Sequence, residues 1–378
     1  MTPVATVFLE PLDVLFLRGN KLFGDPGSFG ESLVPPWPSV AAGALRSRML
    51  VDAGIDLAAF GRGEVNHPEL GTPLVPGSFS VAAFHLARRR GDGSVESLFQ
   101  LPADLIVMED EAGKPSVHSL SPTSFQWNNG LATSYPLKHL PVLTQTDRQK
   151  PASGYWLTEA GWRAYLAGQT PQSSRLVPSS ELWKIDARVG VGLDGSTRRA
   201  ADGRLFSGQA VAFEAGVGFL AGIAGATPPE NGTVRIGGDS RAAAVHPVKV
   251  SLPEPDYAKI AKTRRCRFVL SSPAIFPKGW LLPGMDAEGR FQEGGVKGRV
   301  VSAAVPRCEV VSGWDLAKWQ PKDAQRVAPT GSVWWLDELE STPEALRAFA
   351  ERGLWGESGE DAARRAQGFN RVSIAAWK

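Results

Sequence analysis

Residues 4–16 read VATVFLEPLDVLF, and residues 35–52 read PPWPSVAAGALRSRMLVD. The first segment is apolar and rich in β-branched and aromatic residues, which predicts a central strand of a sheet. In the second segment, Ser39 is placed to cap a helix from Val40 to about Asp52, because its hydroxyl can accept a backbone N–H of the first turn. The chain therefore opens with a strand, a long loop and a helix.

The middle of the chain is richer in loops. Residues 71–176 contain many prolines, which predicts insertions that decorate a domain, with one short helix near residues 159–167. A pair of strands is predicted over residues 181–208, joined at the turn Asp194-Gly195-Ser196. Pro253-Glu254-Pro255 predicts a linker between two parts of the chain.

Each half of the chain mixes several predicted strands with one or two helices. In the second half, Thr342-Pro343 predicts the start of a helix that ends at Gly353, with proline in the first turn and glycine after the last one. This composition predicts an α+β fold, most simply two ferredoxin-like (RRM-like) domains with long loop insertions. We place the N-terminal domain at residues 1–252 and the C-terminal domain at residues 253–378.

The charge balance limits the kinds of partner. The 378 residues include 41 Lys+Arg and 39 Asp+Glu, a formal net charge of +2. A free-standing, non-specific nucleic-acid binder usually has a larger basic excess, so any affinity for RNA has to come from local patches. The two cysteines, Cys266 and Cys308, exclude a disulfide framework. Without a signal peptide or a membrane-spanning run, we expect a cytoplasmic protein.

The motifs that could perform chemistry are weak. The run Gly190-Val191-Gly192-Leu193-Asp194-Gly195 matches the letters of a dinucleotide-binding loop, but a hairpin turn and a basic run follow where that loop requires a helix. We therefore predict a glycine-rich hairpin. The histidines lack the spacing of metal ligands. We predict no cofactor, no metal site and no catalytic residue, although a spatial His/Tyr/Lys triad for metal-free RNA cleavage is left open.

The basic residues are the stronger signal, because many of them stand beside glycine turns. The planar guanidinium group suits phosphate oxygens, and glycine allows backbone amides to approach an anion closely. The alternative for each arginine is a solvated side chain or an ion pair with a nearby carboxylate. A further basic run extends from Lys262 to Arg267. The predicted RNA-binding residues are Arg18, Asn20, Lys21, Arg46, Arg188, Arg198, Arg199, Arg204 and Arg241.

Several stretches, in order along nearly the whole chain, together resemble one family. They are residues 12–19 with residues 35–46, residues 187–194 with residues 201–206, and residues 237–241, 311–315 and 329–333. The chain resembles the third-subunit family of the Cmr complex, the type III-B CRISPR effector. That family is a Cas-five-like member of the RAMP superfamily.

The resemblance implies a function as well as a fold. It implies contact with the 5′ tag of the CRISPR RNA, docking to the large Cas-ten-type subunit and to the RAMP backbone subunits, and only indirect involvement with target RNA. It also implies that cleavage and polymerase-like chemistry belong to other subunits. One departure stands in the C-terminal glycine-rich loop, where Asn370 follows Gly368 at a position where a second glycine is usual. Asparagine tolerates positive φ, so the turn can persist there.

These observations lead to a non-catalytic, RNA-binding scaffold subunit of an antiviral ribonucleoprotein as the first hypothesis. The second is a metal-independent endoribonuclease that processes the CRISPR RNA precursor. The third is a connector whose aromatic surface binds proteins and never touches RNA. The three differ in whether RNA is held, cut or not contacted.

Overall fold

A computed structural model describes residues 4–19, 29–124, 135–144, 150–315, 320–356 and 361–377. The chain forms two compact units, each assembled from three segments. The first unit contains residues 1–95, 180–250 and 310–325, and the second contains residues 96–179, 251–309 and 326–378.

The elements are short, and most are strands. The helices are α1 (Pro38–Asp52), α2 (Leu57–Gly61), α3 (Glu159–Leu166), α4 (Tyr257–Thr263), α5 (Pro343–Arg352) and α6 (Ala362–Ala366). The strands are β1 (Val4–Pro11), β2 (Phe29–Gly30), β3 (Ser80–Arg89), β4 (Val95–Gln100), β5 (Leu105–Glu109), β6 (Pro115–Ser119), β7 (Ser121–Ser124), β8 (His139–Val142), β9 (Tyr155–Leu157), β10 (Leu176–Pro178), β11 (Trp183–Leu193), β12 (Ala200–Phe213), β13 (Val217–Ala224), β14 (Thr233–Arg235), β15 (Ala242–Val248), β16 (Cys266–Leu270), β17 (Arg290–Glu293), β18 (Val296–Ala304), β19 (Glu309–Val311), β20 (Trp314–Asp315), β21 (Gln320–Pro321), β22 (Gln325–Val327), β23 (Val333–Glu340) and β24 (Val372–Ala376).

The main sheet of the first unit places its strands in the order β3-β13-β1-β15-β14, and all of these pairs are antiparallel. Read from the other end, its four longer strands lie in the order β15-β1-β13-β3. Numbered along the chain, these are the fourth, first, third and second strands, which is the order of a ferredoxin-like fold. Helix α1 connects the first two of these strands and packs against β3 and β14. Residues 225–232, which the structure describes in full, form no helix between the third and fourth strands.

Helix α1 begins two residues before the predicted start. Trp37 is its N-cap residue and makes no capping hydrogen bond with its side chain, while Pro38 occupies the first turn. Proline is favoured there because its missing N–H would have no partner inside the helix. Helical spacing places Val40, Ala44, Leu45 and Met49 on one face; the last three are buried, and Val40 is partly buried.

In the main sheet of the second unit, β18, β23, β16 and β24 repeat the order of β3, β13, β1 and β15, and β17 is an added edge strand. Its strands lie in the order β17-β18-β23-β16-β24, again all antiparallel. The predicted helix is confirmed as α5, which connects β23 with β24. Its N-cap hydroxyl, Thr342 Oγ1, accepts a hydrogen bond from Ala345 N at 3.1 Å. The helix ends at Gly353, whose φ of 82° is in the left-handed region.

Both faces of the central part of this second sheet are buried, which explains why residues 266–270, 300–304 and 333–336 are mostly apolar. Alternate residues contribute to two separate cores: Phe268 and Trp334 pack into one, and Val269 and Trp335 pack into the other. Helices α4 and α5 help to fill the first core, and side chains from residues 99–166 fill the second. Residues 96–179 therefore supply a layer of the second unit.

A buried ion pair joins this layer to the sheet. Arg267 Nη1 lies 2.6 Å from Asp104 Oδ2, with 8% and 0% of the two side chains exposed. The hydroxyl of Tyr165 donates a hydrogen bond to Asp104 at 2.8 Å, and Arg267 Nη2 donates to the carbonyl oxygens of Tyr165 and Ala376. Within the basic run predicted at residues 262–267, Arg267 is thus an internal structural residue.

The mixture of antiparallel sheets and short helices confirms the predicted α+β fold. The division of the chain differs from the predicted contiguous domains, 1–252 and 253–378. One passage between the units does fall near the predicted boundary, at residues 250–251. Residues 96–179, expected to be insertions of the N-terminal domain, belong to the second unit because they cover the second face of its sheet. None of the helices in the described ranges is long and apolar enough to cross a bilayer.

Candidate nucleic-acid interface

Two of the predicted arginines contact the ring of Phe16 in the first unit, and a third lies close by, at Gly238. The guanidinium carbon of Arg188 lies 5.8 Å from the ring centroid, and that of Arg241 lies 5.4 Å from it. Both distances are within the range of a cation–π contact. An ideal Cβ at Gly238 would lie 3.5 Å from Phe16 Cβ and 3.9 Å from Arg18 Nε, so Arg18 passes over the same glycine.

The three arginines reach this place from distant parts of the sequence. Arg18 follows β1 in an extended segment that bridges to Ser32, and Phe16 bridges to Gly238. Arg188 belongs to β11, and Arg241 directly precedes β15. We call Phe16, these three arginines and the carboxylates that pair with them the Phe16 cluster.

Each arginine of the Phe16 cluster has an acidic partner. Arg18 Nη2 lies 3.5 Å from Asp239 Oδ1, and Arg188 Nη2 lies 2.8 Å from Asp186 Oδ2. Arg241 forms an ion pair and a hydrogen bond with Asp13. The side chains of Asp13, Asp186 and Asp239 are 59%, 40% and 52% exposed, so solvent reaches all three pairs.

A strained turn lies beside the cluster. Asp239 and Ser240 have φ values of 55° and 54°, and Arg241 N donates to Gly238 O at 3.3 Å. Two successive residues with left-handed backbone closed by this bond form a type I′ turn, for which asparagine, aspartate and glycine are preferred. The preceding Gly237, with φ of 75°, sits so close to Phe16 that an added Cβ would lie 2.7 Å from Phe16 O. The turn therefore depends on glycine at this position.

The glycine-rich hairpin predicted from the sequence is confirmed as β11 and β12, joined by residues 194–199. Gly190 and Gly192 leave room for side chains of β12 to lie across β11. An ideal Cβ would come 2.4 Å from the ring of Phe206 at Gly190 and 2.9 Å from Arg204 Cβ at Gly192. The letters that match a dinucleotide loop thus serve cross-strand packing.

The two faces of this hairpin differ. Arg188, Arg204 and Phe206 share one face, because residues directly opposite each other in antiparallel strands point to the same side. The other face is apolar and exposed. Its exposed residues are Ile185, Val189, Val191, Leu193 and Leu205, with 45%, 72%, 43%, 60% and 60% exposure respectively.

The end of the hairpin holds two further predicted residues. Arg198, with φ of 53°, and Arg199 are exposed in the connecting loop. Hydrogen bonds from Ser196 Oγ and from the backbone N–H groups of Ser196 and Thr197 organise this loop and lower the pKa of the Asp194 carboxyl to about 2. Within the described residues, the side chains of Arg198, Arg199 and Arg204 have no hydrogen bond or ion pair.

Arg46 differs from the exposed arginines of the hairpin in its burial. It lies on α1, is half-buried, and forms no ion pair or side-chain hydrogen bond with the part of the chain that the structure describes. Burial lowers its pKa below the usual value for arginine. Its neighbour Arg48 does pair with Asp52, at 2.6 Å. A half-buried guanidinium without a carboxylate is a candidate to receive an external anion.

Of the remaining predicted residues, two belong to the C-terminal glycine-rich loop. Asn20 and Lys21 lie outside the described residues. In the C-terminal loop, Gly368 has φ of 89° and Asn370 has φ of 58°, which confirms that asparagine adopts the left-handed conformation there. Asn370 is 1% exposed, and its side chain bonds to Ile275 N, Ile275 O and Leu354 O. These contacts give Asn370 a structural role inside the protein.

The histidines lie in separate environments. His67 Nδ1 accepts hydrogen bonds from Glu69 N and Leu70 N. His246 Nε2 lies 3.3 Å from Glu10, and burial lowers the pKa of His85 to about 4. Within the described ranges, no group of three or more His, Cys, Asp or Glu residues is close enough to hold a metal ion.

The sequence reasoning missed four members of the Phe16 cluster, namely Phe16, Asp13, Asp186 and Asp239. A local signal existed for two of them. Phe16 precedes Arg18 by two residues, and Asp186 precedes Arg188 by two, which places each pair on one side of an extended strand. Asp13 and Asp239 have partners 228 and 221 positions away, so the sequence offers no comparable signal for those pairs.

Comparison with known proteins gives a consistent result. A family model described as CRISPR-associated protein (Cas_Cmr3) matches residues 7–377. A chain from a solved structure described as "Cryo-EM structure of the Type III-B Cmr-beta bound to cognate target RNA and AMPPnP, state 1" matches with a TM-score of 0.51 and 14% identity, covering 97% of this chain and 95% of that one. No curated protein matches the sequence.

A second chain comes from "Cryo-EM structure of the Type III-B Cmr-beta bound to cognate target RNA". It matches with a TM-score of 0.48 and 13% identity, covering 97% of this chain and 96% of that one. At such low identity, the first of these two matches indicates a shared fold, and the second carries no further argument.

Proposed function

Because the chain belongs to the Cas_Cmr3 family of CRISPR-associated proteins, we propose that it is a non-catalytic, RNA-binding scaffold subunit of a type III-B CRISPR effector. In this role it holds the 5′ tag of the CRISPR RNA. It also bridges the large Cas-ten-type subunit to the RAMP backbone subunits, and it meets target RNA only through the guide.

The proposal rests on the grouping of Arg188 and Arg241 on the ring of Phe16, with Arg18 nearby at Gly238. Three neighbouring guanidinium groups suit a nucleic acid, because a guanidinium binds phosphate and its planar face can stack on a base. Ionic and stacking contacts of this kind bind RNA without requiring any group that breaks a bond.

The hairpin of β11 and β12 supports the same role. Arg204 and Phe206 extend the basic and aromatic face that starts at Arg188. Arg199, with Arg198 next to it, is five positions from Arg204, which corresponds to about 16 Å at roughly 3.3 Å per strand residue. Several phosphates of one strand can therefore be contacted by one side of the hairpin. The opposite, apolar face supports the bridging role, because exposed apolar surface is typical of protein interfaces.

Retention of RNA in the assembled particle tests the proposal. The triple variant Arg18→Gln, Arg188→Gln, Arg241→Gln should lose guide RNA, with at least about a tenfold fall in affinity if each arginine contributes as a charged hydrogen-bond donor. The matched control is Arg62→Gln, Arg163→Gln, Arg290→Gln. It removes three exposed arginines that also pair with carboxylates, and it should retain guide RNA. Equal retention by the two variants would contradict the proposed function.

The metal-independent nuclease is separated from the scaffold by a cleavage assay. Purified protein is incubated with repeat-containing RNA in the presence of EDTA, and the products are resolved on a denaturing gel. The scaffold role predicts intact RNA over many binding lifetimes. Cleavage at a single site would favour the processing enzyme.

A further inference from the structure

The Phe16 cluster is electrically balanced, although it is assembled from arginines. Its three guanidinium groups face three carboxylates, and each carboxylate is the ion-pair partner of one arginine. The whole chain shows the same balance, with 41 basic and 39 acidic residues. A site that only attracted polyanions would not need these acids, so their presence requires a separate reason.

We propose that Asp13, Asp186 and Asp239 are specificity-determining residues of the RNA site, which compete with phosphate for the three arginines and so reject RNA that lacks further contacts with the chain. This inference rests on the proposed function, since it assigns a role to the acids on the assumption that the arginines bind RNA.

The exposure of the ion pairs makes the competition reversible. Solvent-exposed pairs contribute little stability, so a phosphate can displace each carboxylate. The displaced carboxylate stays beside the incoming backbone and repels it, which cancels much of the gain from a single phosphate. RNA that also contacts other groups, such as Arg204 on the hairpin face, gains the additional binding energy that offsets this repulsion.

The ion pairs also hold the guanidinium groups in place before RNA arrives. Arg188 Nε donates a hydrogen bond to Asp186 Oδ2 at 2.9 Å, and Arg188 Nη2 lies 2.8 Å from the same oxygen. Arg188 and Arg241 are held against the ring of Phe16 at the same time. Groups that are ordered in the free protein lose less conformational freedom on binding, which favours the RNA that fits their arrangement.

The backbone at Asp239 is an independent observation. Aspartate, asparagine and glycine all tolerate its left-handed φ, so the turn can form without a charged side chain. The carboxylate is therefore not needed for the turn itself. The Asp239 carboxylate forms an ion pair with Arg18, as expected if its charge serves the binding site.

The test compares two RNAs on the full-length chain. The probes are guide RNA with its 5′ tag and oligouridine of the same length, each measured by fluorescence anisotropy over a range of salt concentrations. The variant is Asp13→Asn, Asp186→Asn, Asp239→Asn. Its affinity for oligouridine should rise about tenfold at low salt, with a steeper salt dependence, because three uncompensated cations then meet the backbone. Its affinity for guide RNA should rise much less.

A matched control removes three other carboxylates. Asp52→Asn, Asp286→Asn, Asp337→Asn changes the net charge equally and breaks exposed pairs with Arg48, Arg290 and Arg265. It should leave the ratio of the two affinities unchanged. The cluster variant and the single variant Asp239→Asn should both melt cooperatively, and Asp239→Asn should melt at the same temperature as the parent or higher, because asparagine also suits the left-handed turn.

Two outcomes are distinguishable. If the cluster variant binds oligouridine no better than the matched control does, the acids do not govern specificity and the inference is overturned. The proposed function survives that result as long as the arginine triple variant loses guide RNA. Loss of discrimination in the cluster variant alone supports the inference.

Discussion

Asn370 shows how one residue satisfies two demands at once. Its φ of 58° requires a residue that tolerates the left-handed region. Glycine would meet that demand but has no side chain. The asparagine amide accepts a hydrogen bond from Ile275 N at 2.8 Å and donates to Leu354 O at 2.6 Å. The residue therefore forms the turn and also fastens it to two neighbouring segments.

The variant Asn370→Gly should be less stable than the parent although it suits the turn. We expect the free energy of unfolding to fall by about 2–4 kcal/mol, because buried polar groups lose their partners. Urea denaturation measures the difference. The control is Asn231→Gly, at an exposed position, where a change within about 0.5 kcal/mol is expected. Equal stability of Asn370→Gly and the parent would show that the side-chain bonds do not hold the loop.

Arg267 illustrates why single basic residues are difficult to interpret from sequence. It stands in a run with Arg264 and Arg265, which suggests a surface patch. The structure separates them: Arg265 pairs with Asp337 and Arg264 with Glu340 on the exposed side, whereas Arg267 points inward to Asp104. Arg264 is the C-cap of α4 and Arg265 precedes the strand, whereas Arg267 lies inside the buried strand β16, so neighbouring charges can have unrelated roles.

At the scale of elements, glycine has opposite effects in a helix and in a sheet. Gly43 lies in α1, and an added Cβ would have no heavy atom within 4 Å beyond its own helix. Gly218 lies in β13, where an ideal Cβ would come 2.2 Å from the carbonyl oxygen of Leu9 in β1. The first glycine is dispensable for packing, and the second allows two strands to pair closely.

The same substitution should therefore change stability in opposite directions. Gly43→Ala should stabilise the protein by about 0.5–1 kcal/mol, because alanine loses less backbone entropy in a helix. Gly218→Ala should destabilise it by about 1–3 kcal/mol, because the methyl group forces β13 away from β1. Thermal melts of the two variants, run beside the parent, measure both signs. A stabilising Gly218→Ala would refute the close pairing of these strands.

At the scale of the whole molecule, the two units interleave along the chain. The backbone passes from one to the other at residues 95–96, 179–180, 250–251, 309–310 and 325–326, which makes five crossings. The second core of the second unit combines Phe99, Leu157 and Trp162 with Val269 and Trp335. Its two halves therefore come from both sides of residue 252.

A fragment of residues 1–252 should consequently fail to fold cooperatively. It would expose the side chains that otherwise cover the second sheet, and we expect it to aggregate or to lack a sharp melting transition. Co-expression with a fragment of residues 253–378 should restore a complex. Size-exclusion chromatography of each fragment, alone and together, measures this. A monomeric, cooperatively melting fragment of residues 1–252 would show that the units fold independently of the chain crossings.

The family assignment also belongs to this scale. The motifs quoted from the sequence are short, but they occur in order along nearly the whole chain. A family model that matches residues 7–377 confirms the resemblance that they indicated. The RNA-binding assignments of individual residues and the absence of catalysis stay predictions, which the variants described above are designed to test.

The sequence alone determined the features that depend on local pattern. Strand and helix periodicity indicated the α+β fold, the helix over residues 343–352 and the glycine-rich hairpin. Capping residues and turn residues set most boundaries, because these interactions span only a few positions. The exception at Trp37 arose because proline in the first turn can start a helix without a capping side chain.

Only the tertiary structure decided which charges meet. Asp13 and Arg241 are 228 positions apart, and no local pattern relates them. The same holds for the layer formed by residues 96–179. Its apolar side chains pack against the second sheet, whose strands come from much later in the sequence. Ion pairs and sheet faces form between segments brought together by folding, so their partners are set by the three-dimensional path of the chain.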